Sequence, residues 1–119
     1  MGRLTTHVLD TVRGRPGAGI SLLLHKIDKI DGERKLLREA VTNADGRCDR
    51  PLLEGGELQP GTYELMFRVA EYFSRTGAEL PDPPFVGDVV LRFGIADPDQ
   101  HYHVPLLVTP WSYATYRGS

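Results

Sequence analysis

The sequence predicts an all-β Greek-key sandwich of seven to eight short strands with one short helix, in a single domain over residues 1–119. Apolar and polar residues alternate with a period of two over a series of short segments. Clusters of Asn, Asp, Gly and Pro separate those segments at strand spacing. Only one stretch changes to the helical period.

Residues 4–9 set Leu4, Thr6 and Val8 against Thr5, His7 and Leu9, so the first strand places His7 on the face opposite its aliphatic residues. Gly14, Pro16, Gly17 and Gly19 make residues 13–19 a loop. Residues 20–27, Ile-Ser-Leu-Leu-Leu-His-Lys-Ile, form a nearly continuous apolar run and read as a central strand. Asp31-Gly32 is a hairpin turn, with residues 34–42 as the return strand carrying Leu37 and Val41 among charged neighbours. Asn43-Ala44-Asp45-Gly46 is a second tight turn, which sets Arg47 just beyond it. Residues 51–53 suit a short edge strand.

The clearest alternation follows in residues 62–69: Tyr63, Leu65, Phe67 and Val69 point inward while Thr62, Glu64 and Arg68 point outward, giving one wet face. Val69, Tyr72 and Phe73 then recur at three and four, and Gly77 supplies a stop, so residues 69–76 form one helix of about two turns. Beyond the stiff Pro81-Asp82-Pro83-Pro84 connector, residues 85–95 send Phe85, Val89, Leu91, Phe93 and Ile95 into the core. Asp97-Pro98-Asp99 turns the chain into a strand over 101–108. There Tyr102, Val104, Leu106 and Val108 share one face, and His101, His103, Pro105 and Leu107 the other. Thr109-Pro110 breaks it, and residues 111–117 read as a last strand.

Fourteen basic against sixteen acidic residues, interspersed, leave a formal charge of −2, which argues against a nucleic-acid or anionic-membrane partner. One cysteine, Cys48, forbids an internal disulfide and reads as an ordinary thiol near a turn. No apolar run approaches the about twenty residues that span a bilayer. Thr5, Thr6, His7 and Asp10 interrupt the only candidate signal-peptide core, and Met1 to Thr6 fits the loose myristoylation pattern without a tether to carry an anchor. The expectation is a cytoplasmic protein with no membrane association.

His7, Arg47, His101, His103, Tyr116 and Ser119 are the polar groups set on strand faces or turn edges. Imidazole titrates close enough to neutrality to take a proton from water and return it, and guanidinium holds a planar, carbonyl-rich ligand through paired hydrogen bonds. Two histidines and an arginine therefore suit hydrolysis of a polar amide without a covalent intermediate. Alone, each has a plainer reading as a satisfied strand histidine or a solvated charge, and His25 and His101 are left there. Zinc is a second possibility, since His101-x-His103 presents two imidazoles on one face. It would need a third ligand such as His7 and an open position for water, and the only nearby acids, Asp97 and Asp99, lie across a turn. No metal is expected.

Four stretches, Leu4-Thr-Thr-His7-Val-Leu-Asp10, Thr42-Asn-Ala-Asp-Gly-Arg47, His103-Val-Pro-Leu-Leu107 and the terminal Tyr116-Arg117-Gly118-Ser119, resemble the 5-hydroxyisourate hydrolases, the transthyretin-related enzymes of urate breakdown. The resemblance spans essentially the whole chain; Ala114, where many relatives have Ser, is a small departure. It implies a transthyretin-like sandwich and a cofactor-free active site of His7, Arg47, His103 and the terminal tetrapeptide. His7, His103 and Ser119 would be catalytic, while His7, Arg47, His103, Tyr116, Arg117, Gly118 and Ser119 would bind substrate. It further implies opening of the 5-hydroxyisourate ring at the N1–C6 amide to give 2-oxo-4-hydroxy-4-carboxy-5-ureidoimidazoline, and a homotetramer, a dimer of dimers, whose assembly covers the outward histidine faces. The alternative is a transthyretin-like small-molecule binding module without turnover.

Overall fold

The computed structural model describes residues 1–119. The strands are β1 (Arg3–Asp10), β2 (Arg15–Pro16), β3 (Ser21–Ile27), β4 (Arg34–Val41), β5 (Leu53–Glu54), β6 (Gly61–Arg68), β7 (Asp88–Ile95), β8 (His101–Val108) and β9 (Tyr113–Thr115), with helix α1 (Val69–Arg75) between β6 and β7. One sheet runs β2-β1-β8-β9, with β5 also paired to β1, and the other runs β4-β3-β6-β7. β1 and β8 pair in parallel from Arg3↔His101 to Asp10↔Val108, joining the two ends of the sequence at the centre of one sheet. A cluster of 22 buried residues fills the space between the sheets. Leu4, Leu24, Leu65, Phe67 and Leu106 are wholly inaccessible, each stabilising the fold by about 1.5–3 kcal/mol relative to exposure.

Helix α1 buries Val69, Tyr72 and Phe73, the residues its period marks. It is tied to the sheet through Asp10, whose side chain is fully buried. Asp10 Oδ2 accepts from the Tyr72 hydroxyl at 2.8 Å, and Oδ1 accepts from the Val12 and Arg13 amides. A carboxylate so placed is held by hydrogen bonds on both oxygens, as burial requires.

Four sequence expectations change. Glu64 points outward but is not wet: it is 5% exposed. Arg34 Nε donates to its Oε1 at 2.6 Å and Arg92 Nε to its Oε2 at 2.8 Å, and the arginine stems cover it. Phe85 is 74% exposed, because the strand begins only at Asp88 and Val86 takes the core position ahead of it. Phe85 instead meets Trp111, ring centroids 6.1 Å apart. Residues 13–19 are not all loop, since Arg15 and Pro16 pair with Asp10 and Leu9.

The last strand is shorter than residues 111–117. Thr109 Oγ1 accepts from the Trp111 and Ser112 amides, which makes 109–112 a turn. β9 then pairs Thr115 with Leu106, and a lone bridge in the same register pairs Gly118 with His103. Between them, Tyr116 stands opposite Pro105, which has no amide hydrogen to give, so the ladder lapses there.

Candidate active site

The outer face of the β1–β8 pair carries the site. Thr5 lies opposite His103, and His7 opposite Pro105, so His7 and His103 share that face on adjacent strands two positions apart. Strand spacing and rise put their Cα atoms about 8 Å apart.

Arg47 arrives from the turn. Asn43 Oδ1 accepts from the amides of Asp45 at 2.9 Å and Arg47 at 3.1 Å, and Gly46 takes a left-handed φ of 76°. A Cβ on Gly46 would lie 2.4 Å from the Val8 carbonyl oxygen, so only glycine lets the turn dock on β1. The docked turn accepts from the Val8 amide at its Gly46 carbonyl, 2.8 Å, and from His7 Nε2 at its Asp45 carbonyl, 2.9 Å. A carbonyl only accepts, so Nε2 carries the proton and Nδ1 is the free nitrogen of His7. A single antiparallel bridge pairs His7 with Arg47.

A cavity of about 450 Å³ opens here. Arg3, Thr5 and Thr6 of β1 line one side and His103 of β8 another; Arg47, Cys48, Asp49, Arg50 and Pro51 close it from the turn, and Ser119 ends in it. The ion pairs of the chain involve Arg34, Arg38, Arg75 and Arg92, so Arg3, Arg47 and Arg50 bring guanidinium groups outside any ion pair to a cavity they share with Asp49 and Ser119. Burial first, then the positive charge of Arg47 and then His7, hold the His103 imidazole below the ordinary 6.5, which keeps it neutral at physiological pH. Burial, then Asp49, pushes the Cys48 thiol up, away from the reactive thiolate.

The predicted residues are only partly gathered. His103, Arg47 and Ser119 line the cavity, and His7 stands beside Arg47. Gly118 packs on the His103 ring. Tyr116 and Arg117 line a different groove, about 340 Å³, beside Leu91, Phe93, Tyr102 and Val104. Arg117 lies over the Tyr102 ring at 4.3 Å and donates to Gln100 Oε1 and the His101 carbonyl. These contacts and the Gly118 amide bond to the His103 carbonyl, 2.7 Å, hold the terminus, while Trp111 and Tyr113 stay exposed. No three His, Cys, Asp or Glu side chains come together as a metal-ligand set. Arg3, Thr5 and Arg50 were not anticipated, although the period of two that places His7 outward places Thr5 and Arg3 beside it.

The geometry defines a class: a two-sheet sandwich of transthyretin type whose outer face pairs imidazole with guanidinium in a polar cavity, suited to hydrolytic chemistry on a small polar molecule. A family model described as the HIUase/Transthyretin family matches residues 4–118, and the chain belongs to that family. It is 57% identical over its full length to all of a Ralstonia nicotianae protein named 5-hydroxyisourate hydrolase. Its fold matches the structure of Klebsiella pneumoniae 5-hydroxyisourate hydrolase with a TM-score of 0.80 at 33% identity, covering 100% of both chains. It also matches a crystal structure of (S)-allantoin synthase with a TM-score of 0.93 at 48% identity, where 99% of this chain covers 44% of that one. No helix is long and apolar enough to cross a membrane.

Proposed function

We propose that this chain is a 5-hydroxyisourate hydrolase, acting as one domain over residues 1–119, that opens the ring at the N1–C6 amide to give 2-oxo-4-hydroxy-4-carboxy-5-ureidoimidazoline without a cofactor. The observation that carries the reading is the convergence of His103, Arg47 and Ser119 in one cavity with His7 bridged to Arg47. The full-length relatives that bear this enzyme's name support it.

In this reading one neutral imidazole takes a proton from water as its oxygen attacks C6, and returns it to N1 as the amide bond breaks. Arg47 holds the C6 carbonyl and the negative charge that develops on its oxygen. N1 departs as the amine of the new ureido group, C6 stays on the ring carbon as a carboxylic acid that loses its proton to solvent, and the resulting carboxylate suits the guanidinium groups of Arg3, Arg47 and Arg50. Ser119 lines the cavity and offers a hydroxyl to the ring polar groups. The working form is a homotetramer, a dimer of dimers, that covers the outer face of the β1–β8 pair and encloses this open cavity.

The test generates 5-hydroxyisourate from urate with urate oxidase and follows its ultraviolet decay with the protein and without it. Faster decay with formation of the ureidoimidazoline supports the hydrolase. Saturable binding of a urate analogue with unchanged decay would assign a binding module instead.

A further inference from the structure

The His103 imidazole is gripped on two edges by residues far apart in the sequence. On one edge, Thr5 Oγ1 lies 2.8 Å from Nδ1, and this is the only hydrogen bond of the Thr5 hydroxyl. The parallel register of β1 and β8 sets Thr5 directly opposite His103 and so fixes that approach. On the other edge is Gly118, where an added Cβ would lie 2.6 Å from His103 Cδ2, 3.3 Å from Cγ and 3.4 Å from the His103 Cβ. The Gly118 amide donates to the His103 carbonyl at 2.7 Å, so the backbone that touches the ring is itself anchored. What remains free of the ring is the edge bearing Nε2, and His103 lines the cavity.

We propose that Thr5 and Gly118 are positioning residues that clamp His103 with Nδ1–H donated to Thr5 Oγ1, so that the lone pair of Nε2 faces the cavity. Which imidazole nitrogen carries the proton is set by the hydrogen bond that the other one makes. The cavity that His103 lines is shared by Arg3, Arg47 and Arg50, which are donors only, and by Asp49 and Ser119, whose oxygens can accept; the three guanidinium groups favour a lone pair at Nε2. This tautomer also needs no rearrangement during turnover. Nε2 gains a proton and loses it while Nδ1–H stays bonded to the threonine oxygen. The acceptor is neutral, so it orients the ring without raising its basicity as a carboxylate would. Gly118 is in this account not a substrate contact but the absence of a side chain that lets the Cδ2 edge of the ring pack against the backbone there. The catalytic part of this proposal rests on the hydrolase reading; the tautomer does not.

The test is therefore run on two levels. Long-range proton–nitrogen correlation spectra of uniformly nitrogen-15-labelled protein near pH 8 report the tautomer of each histidine. His103 should appear as the Nδ1–H form in the unaltered protein and in Thr5→Ser, which keeps the hydroxyl. It should move toward the Nε2–H form in Thr5→Val, which keeps the shape and loses the acceptor. In the decay assay Thr5→Val should lose about 10–100-fold in kcat with KM little changed, and Thr5→Ser should recover most of it, as for residues that orient a reacting group. Gly118→Ala, at the end of the chain where the core is not involved, should keep the melting temperature and lose kcat. An Nε2–H tautomer in the unaltered protein would overturn the clamp, as would a Thr5→Val variant with unchanged tautomer and turnover. Absence of turnover in every form would refute the hydrolase reading while the spectra still judged the clamp.

Discussion

His7 donates an Nε2–H hydrogen bond to the Asp45 carbonyl at 2.9 Å while a single backbone bridge holds it opposite Arg47, so one turn fixes both the tautomer of an imidazole and the root of a guanidinium. Removing that imidazole should act on chemistry and not on folding, because the ring lies outside the core. His7→Ala should lower kcat by about 10²–10⁴-fold with an unchanged melting temperature. Turnover within a few-fold of the original would remove His7 from the mechanism.

In the proposed mechanism Arg47 has two separable roles, and two substitutions separate them. Lysine keeps the positive charge that depresses His103 but loses the two-pronged grip, so Arg47→Lys should lose about 10²-fold in kcat/KM. Glutamine removes the charge.

The direction of the pH effect follows from the same contact. Burial first, then Arg47 and His7, disfavour the charged form of His103, so the acid limb of kcat/KM should fall below pH 6.5. Removing a nearby positive charge makes protonation easier, so Arg47→Gln should move that limb upward while Arg47→Lys leaves it in place. A limb that does not move in Arg47→Gln would show that the group titrating is not His103.

Glu64 makes the stability of the second sheet asymmetric. Its Arg34 and Arg92 partners are each 57% exposed and stay solvated if the acid is removed, whereas the acid, 6% exposed, loses both of its charged partners under the methionine side chains that replace them. Arg34→Met with Arg92→Met should therefore cost about 3–5 kcal/mol, and Glu64→Met far less. The hydrogen bond from Arg34 leads the effects that hold the Glu64 carboxyl below its ordinary 4.5. A depressed folded value means that this contribution is present above the unfolded value and is lost as pH falls through the folded one, so the two arginine substitutions should flatten the loss of stability below about pH 4.5. Equal costs for the two experiments in urea unfolding would contradict the burial argument.

Leu107, half-buried on the His103 face of β8 between Leu9 and Ala114, tests assembly. Leu107→Arg places an unpaired charge where a partner subunit would cover it, so sedimentation should show dissociated tetramers and the decay assay should show lost hydrolysis. Deletion of residues 116–119 should abolish hydrolysis as well. An active monomeric Leu107→Arg would contradict the proposal that assembly encloses the working cavity.

The period of two was enough to place β8 over the residues expected, with Tyr102, Val104, Leu106 and Val108 inward, and the helical period marked Val69, Tyr72 and Phe73 correctly. It reports which face a residue takes and nothing of what folds over that face, which is why Glu64 read as wet. Pro105 was visible in the sequence, but the pairing that sets it opposite Tyr116 was not, so the last strand read too long. His7, Arg47 and His103 were legible as outward polar groups, and their grouping came from the resemblance to known enzymes. Thr5 was legible as a neighbour of His7 on one face, but its bond to His103 joins strands from opposite ends of the chain and depends on a parallel register that local sequence does not encode.

The most direct test of the account compares the initial rate of 5-hydroxyisourate decay with the unaltered protein, with His103→Ala and with buffer alone. The account predicts decay proportional to the concentration of unaltered protein, and in His103→Ala a rate lower by about 10²–10⁴-fold. Decay with the unaltered protein no faster than in buffer would contradict it, and so would a His103→Ala variant as fast as the original.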